Sequence, residues 1–206
     1  MKPLVVTGTD TGVGKSIVAA GLTAALGAAY WKPVQSGLED ETDSALVARL
    51  TGVTPLPETY RLPLPASPHL SAEAAGVEID LAELALPEID GPLVVEGAGG
   101  VMVPLTRRHF YLDLFARWQA PIVLVARTQL GTINHTTLSL RALRGAGCHV
   151  VGVIFNGPPE PEVEQTISEM NSVTHLGRLA PLDEITPDTL HRGFAAIDMP
   201  TIRSAL

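Results

Sequence analysis

The sequence predicts one α/β domain, a mainly parallel sheet covered by helices on both faces. Three features point there. Short apolar, β-prone runs alternate with segments of helical period along all 206 residues. The runs are continuously apolar rather than alternating, as in strands buried on both faces. Hydrophobic residues make up 46% and charged residues 17%, which suits one substantial core and excludes disorder. No internal repeat or low-complexity linker divides residues 1–206.

Each element has its own signal. LVVTG at 4–8 reads as the first strand and the alanine-rich KSIVAAGLTAALG at 15–27 as a helix. AYWKPV at 29–34 reads as a second strand, and DSALVARL at 43–50 as a helix opened by an aspartate. Residues 53–68 carry too much proline for regular structure, so a surface-wrapping segment is expected. SAEAAG and DLAELAL suggest two short helices before the buried strand PLVVEG at 92–97. YLDLFARWQ then reads as a helix, PIVLVAR as a strand, INHTTLSLRALRGAG as a helix and HVVGVIFN as a strand. PEVEQTISEMNSV is amphipathic at helical spacing, HLGRLA is a last strand, and a helical C-terminal segment closes the chain.

Composition limits the function. The formal net charge is −8 with Lys and Arg scattered, which gives no nucleic-acid footprint. Cys148 is the only cysteine, so no intrachain disulfide and no multi-cysteine metal site can form, and its setting reads as a packed core thiol. The N-terminus lacks the pattern of a secretory signal, and no apolar run reaches the roughly 18 residues of a membrane span. A cytoplasmic protein is expected.

Ligands of parallel sheets bind beyond the carboxyl ends of the strands. Four polar loops converge there: GTDTGVGKS, KPVQSG, EGAGG and NGPPE. The first lies between a strand and a helix, where backbone N–H groups and the positive helix end surround an anion. The usual phosphate-loop pattern has a glycine five places before Gly-Lys-Ser, but Thr9 stands there and Gly8 lies one place further back. No N–H donor is lost by that shift, so the domain is read as a phosphate-loop NTPase fold. Lys15 would reach the terminal phosphates and Ser16 would bind Mg²⁺.

Glu96 ends an apolar strand, facing a metal or simply closing a tight turn, and Gly97, Ala98 and Gly99 after it allow close backbone approach or bind the phosphate oxygens of the nucleotide themselves. Asp43 either caps its helix or completes a Ser16, Asp43, Glu96 oxygen set around Mg²⁺. Lys32 is either a solvated lysine at a strand end or, with Pro33 and Ser36 beside it, a second cation for phosphoryl transfer. Asn156 is either a turn residue or an amide reading adenine. His69 and His135 lack metal-ligand spacing and read as structural.

GTDTGVGKS, KPVQSG, DSAL at 43–46, SPHLSAE at 67–73, VVEGAGG at 94–100 and LGTINHTTLS at 130–139 occur in that order. Together they resemble the dethiobiotin synthetases, from Val6 to about Asp188, and the extra residue in the phosphate loop is a mark of that family. The resemblance implies ATP and Mg²⁺ as cofactors, with 7,8-diaminononanoate and CO₂ as substrates. Gly12, Val13, Gly14, Lys15, Ser16 and Ile17 would hold the phosphates, Lys32 and Lys15 would be catalytic, and Ser16, Asp43 and Glu96 would hold the metal. Asn156 and Gly157 would bind adenine, with Pro181, Leu182 and Asp183 lining the same pocket. Ser36 would contact substrate. A homodimer is implied, in which Leu130 and Asn134 bind the substrate carboxylate across the interface. Two positions depart from the usual pattern: Gly12, where many members carry glutamate, and Val101-Met102, where many carry an aromatic. Another ATP-dependent ligase, or a partitioning-type ATPase switch, is the rival reading. The switch would generally carry an additional lysine early in the loop, where this chain has Thr9, Asp10 and Thr11.

Overall fold

The computed structural model describes residues 3–206. Its centre is a six-stranded sheet whose every pairing is parallel. The strands are β1 (Leu4–Gly8), β2 (Ala29–Trp31), β5 (Leu93–Gly100), β6 (Ile122–Arg127), β7 (Val150–Asn156) and β8 (His175–Leu179), in the order β2-β5-β1-β6-β7-β8. A small second sheet pairs β3 (Val34–Ser36) with β4 (Tyr60–Leu62), also in parallel.

Alternation along each strand divides the core in two. Leu4 and Val6 of β1 face one side with Val18 and Leu22 of α1 (Lys15–Leu26) and Val47 and Leu50 of α2 (Asp43–Thr51). Leu190 and Phe194 of α7 (Pro187–Phe194) and Ile202 of α8 (Met199–Ser204) complete that side. Val5 faces the other way, with Tyr111 and Phe115 of α4 (Tyr111–Trp118), Leu140 of α5 (Thr132–Gly145) and Ile167 of α6 (Pro161–Asn171). Helices thus cover both faces. Gly21 lets α1 and α7 approach closely, because a Cβ there would lie 1.9 Å from the Phe194 ring.

Four expectations are corrected. The strand expected over 29–34 is two, β2 and β3. Pro33 brings no N–H to the ladder, the chain leaves the large sheet at Lys32, and the Pro33 carbonyl accepts instead from the Tyr60 amide at 3.1 Å. The proline-rich segment is not wholly irregular, since Tyr60–Leu62 forms β4 against β3. DLAELAL forms turns rather than a helix: Leu84 is buried between them, and Pro87 follows too soon for helical turns to propagate. The helix begun at SAEAAG also starts earlier, as α3 (Pro68–Ala75), with proline in its first turn.

Candidate active site

The carboxyl ends of β1, β2, β3 and β5 open onto a cavity of about 600 Å³. Its wall includes Gly12, Gly14, Lys15, Ser16 and Ile17 from the loop and first turn of α1. Lys32 and Ser36 join from either end of the β2–β3 step, Asp43 from α2, and Glu96, Ala98 and Gly99 from β5. Gly14 caps α1 at φ 92°, and Gly12 stands at φ 73°, both in the left-handed region that favours glycine.

Inside the cavity the charged groups interlock. The Ser16 hydroxyl lies 2.5 Å from Asp43 Oδ1 and 2.9 Å from Glu96 Oε1. The Lys32 ammonium uses all three protons, on Asp43 Oδ2 at 2.6 Å, Glu96 Oε1 at 3.1 Å and the Gly97 carbonyl at 2.9 Å. Lys15 donates to the Asp10 carbonyl at 3.0 Å. The Gln35 amide donates to the Ser36 and Gly37 carbonyls, both at 3.2 Å, and accepts from the Asp43 amide at 3.3 Å. Asp43 is not the helix cap, because Thr42 takes that place and accepts from the Ala45 amide. Its carboxylate is therefore left to the cavity.

Electrostatics separate the two lysines. Burial, followed by repulsion from Lys32, lowers the Lys15 pKa to about 8. Burial also opposes the charge on Lys32, but Glu96 and Asp43 outweigh it and hold Lys32 protonated well above the usual lysine range. For Asp43, burial works against ionisation, and the charge and hydrogen bond of Lys32 reverse it, so its pKa falls below the ordinary value.

Ser16 Oγ, Asp43 Oδ1 and Glu96 Oε1 form an oxygen-only donor set, the kind a hard divalent cation takes with waters and phosphate oxygens completing its shell. The residues present fit Mg²⁺.

Other predicted residues lie around this centre. Val13 is buried, and its carbonyl accepts from Asn156 Nδ2 at 3.0 Å, which ties the end of β7 to the loop. Gly157 follows at φ 141°; its amide donates to the Leu179 carbonyl, and its carbonyl accepts from Arg178. Arg178 is in turn held by the buried Glu164 at 3.3 Å. Pro181 and Asp183 are exposed beyond β8, while Leu182 packs on the α1 side of the core. Leu130 and Asn134, before and within the first turn of α5, are exposed and do not line this cavity.

Two contributors escaped the sequence reading. Gln35 carried only the general signal of its KPVQSG loop. Tyr30 looked like an ordinary strand aromatic, yet its hydroxyl donates to Glu96 Oε2 at 2.8 Å. Its one available signal was position, two residues before Lys32 on the same face of a strand.

A family model described as an AAA domain matches residues 2–189. Among solved structures, the cell division ATPase MinD of Pyrococcus furiosus superposes with a TM-score of 0.57 at 14% identity, covering 100% of both chains. The MinC:MinD complex of Aquifex aeolicus gives 0.58 at 13%, covering 94% of this chain and 86% of that one. At such identity the likeness is one of fold. Curated relatives are far nearer. The ATP-dependent dethiobiotin synthetase of Rhodopseudomonas palustris (strain HaA2) is 60% identical over 197 residues, spanning 94% of this chain and 92% of the relative. That of Agrobacterium fabrum is 58% identical over 194 residues, spanning 93% and 92%. With its phosphate loop, its two lysines and its paired acids in place, this chain belongs to the ATP-dependent dethiobiotin synthetases.

Proposed function

We propose that the chain, acting as one synthetase domain, converts 7,8-diaminononanoate, CO₂ and ATP into dethiobiotin, ADP and phosphate. The observation that supports this best is the cavity where Lys15, Ser16, Lys32, Asp43 and Glu96 meet, in a chain about 60% identical to a curated synthetase. One substrate amine takes up CO₂ as a carbamate. A carbamate oxygen attacks the γ-phosphorus, ADP leaves, and the second amine displaces phosphate from the mixed anhydride to close the ureido ring.

The substrate supplies both nucleophiles, so the protein needs to position them and balance charge. Lys15 and the loop N–H groups hold the phosphates, while Lys32 faces the carbamate and the transferring phosphoryl group. Ser16, Asp43 and Glu96 would hold Mg²⁺, which would supply charge neutralisation for the phosphates. Lys32 then exchanges part of its present bonding to Asp43 and Glu96 for substrate oxygens. Asn156 Nδ2 is committed to Val13, which leaves Oδ1 as an acceptor suited to an exocyclic amino group on the base. With Gly157 it forms the adenine contact, and Pro181, Leu182 and Asp183 form its outer wall.

Ser36 contacts the substrate from the cavity rim. Leu130 and Asn134 serve a partner's site in a homodimer, a role supported by the complete exposure of Leu130 and the helix start beside it. The setting is cytoplasmic, in keeping with the finding that no helix among the described residues is long and apolar enough to cross a membrane.

The deciding experiment measures ADP release from Mg-ATP and bicarbonate, with and without the diamine, with mass detection of product. ADP formed one-for-one with dethiobiotin is the expected result. Equal ADP release without the diamine would sink the proposal.

A further inference from the structure

Tyr30 lies wholly inside the protein, on β2, with its ring among the side chains of the α1 side of the core. Glu96 is 1% exposed and lies on the neighbouring strand, where Tyr30 pairs in register with Val94. The two oxygens of Glu96 have different partners. Oε1 faces the cavity and meets Ser16 and Lys32, while Oε2 points back into the core and, among the described residues, meets the Tyr30 hydroxyl alone. A buried carboxylate oxygen left unpaired is costly, so its orientation follows the donor provided for it.

The geometry makes Tyr30 a donor to Glu96 alone. No other group accepts from its hydroxyl among the described residues. Ser16 contrasts with it. That side chain has one proton for two carboxylates, and on metal binding its oxygen must turn a lone pair toward the cation. The contact of Ser16 with Glu96 is thus the one that changes with loading, and the contact of Tyr30 is the one that persists.

We propose that Tyr30 is a positioning residue for the metal site. Its hydroxyl pins Oε2 of Glu96, so that Oε1 is presented at the point where Ser16 and Asp43 converge, before the cation arrives. Partners of this kind, one step behind a metal ligand, commonly alter metal affinity by 10- to 100-fold. The inference rests on the assignment of Ser16, Asp43 and Glu96 as the Mg²⁺ site.

The test is calorimetric titration of a non-hydrolysable ATP analogue into wild type and Tyr30→Phe over a range of Mg²⁺ concentrations. Phenylalanine keeps the ring and removes only the hydroxyl. The expected result is a Mg²⁺ midpoint raised roughly 10-fold or more, with analogue affinity in EDTA within about twofold of wild type. A general packing defect would instead weaken binding in both conditions. A midpoint within twofold of wild type overturns the role of Tyr30. If Mg²⁺ leaves the wild-type affinity unchanged, the metal-site assignment itself fails, and with it the premise. Glu96→Gln guards against a Phe variant that folds poorly. In the Gln background Tyr30→Phe should shift the midpoint no further, whereas an equal additional shift would show that Tyr30 does not act through Glu96.

Discussion

Replacing Lys32 by glutamine tests the charge balance of the site directly. In the free protein Lys15 and Lys32 oppose Asp43 and Glu96, and of the two lysines it is Lys32 that bonds both acids. Its removal leaves two carboxylates facing each other across Ser16, with Glu96 wholly buried and Asp43 31% exposed. Breaking a fully buried pair costs about 3–5 kcal/mol, and the partial exposure of Asp43 moves the expectation to about 3 kcal/mol. For a chain of this size that corresponds to roughly 6–12 °C in Tm. Excess Mg²⁺ should return part of the loss, because the cation neutralises the same two acids, and it should raise the Tm of the variant more than that of wild type. Turnover should fall about 100-fold or more, the scale for losing one preorganised donor to a transition state. Differential scanning fluorimetry with and without Mg²⁺, beside coupled ADP release, reads all three quantities. Turnover near the wild-type rate would remove Lys32 from the chemistry. A Tm unchanged by the substitution would refute the charge argument.

Three further outcomes are expected. Lys15 titrates at about 8 in the free protein, and phosphates beside it favour its charged form. Nucleotide binding should therefore take up a proton near pH 8–9 and weaken as pH rises through 8. Calorimetry in buffers of different ionisation enthalpy measures that uptake, and Lys15→Met should abolish it. Gly21→Ala should cost about 1–3 kcal/mol in urea unfolding, the range for overpacking, because the new methyl meets the buried Phe194 ring; a change below about 0.5 kcal/mol would contradict the tight contact of α1 with α7. Arg178→Ala should raise the KM for ATP several-fold with kcat little changed, since Arg178 bonds the Gly157 carbonyl and Glu164 and contacts none of Lys15, Ser16 and Lys32. Equal loss in kcat would mean that it acts on the reacting groups.

Much of this molecule is legible from local pattern, where local physics decides. The apolar runs of β1, β6 and β7 are buried on both faces and could be little else. The phosphate loop announces itself because glycine, lysine and serine must stand at fixed places around an anion. β4 is not legible, because it exists through pairing with β3 across a stretch of prolines. The turns at DLAELAL repeat the error in reverse, since leucines at helical spacing serve there to plug the core. Tyr30 illustrates the same boundary within the site. A tyrosine in a strand is most simply a core aromatic, and only the placement of β2 beside β5 brings its hydroxyl to Glu96. Asp43 was ambiguous until the structure gave the cap to Thr42.

The position of β1 has a consequence for how the protein comes into being. Of the strands of the large sheet, the one that carries the phosphate loop is made before the others, yet it lies between β5 and β6, where Leu4 pairs with Val94 and Val5 with Ile122. Until those distant strands have been synthesised, both edges of β1 are open and Ser16 lacks Glu96. Nascent chains therefore cannot be rescued early by nucleotide, and they carry two apolar, unpaired strand edges until β5 and β6 have emerged. Folding should be slow for the size of the domain, since its central pairings are among those of longest range. ATP can stabilise only what is already nearly complete.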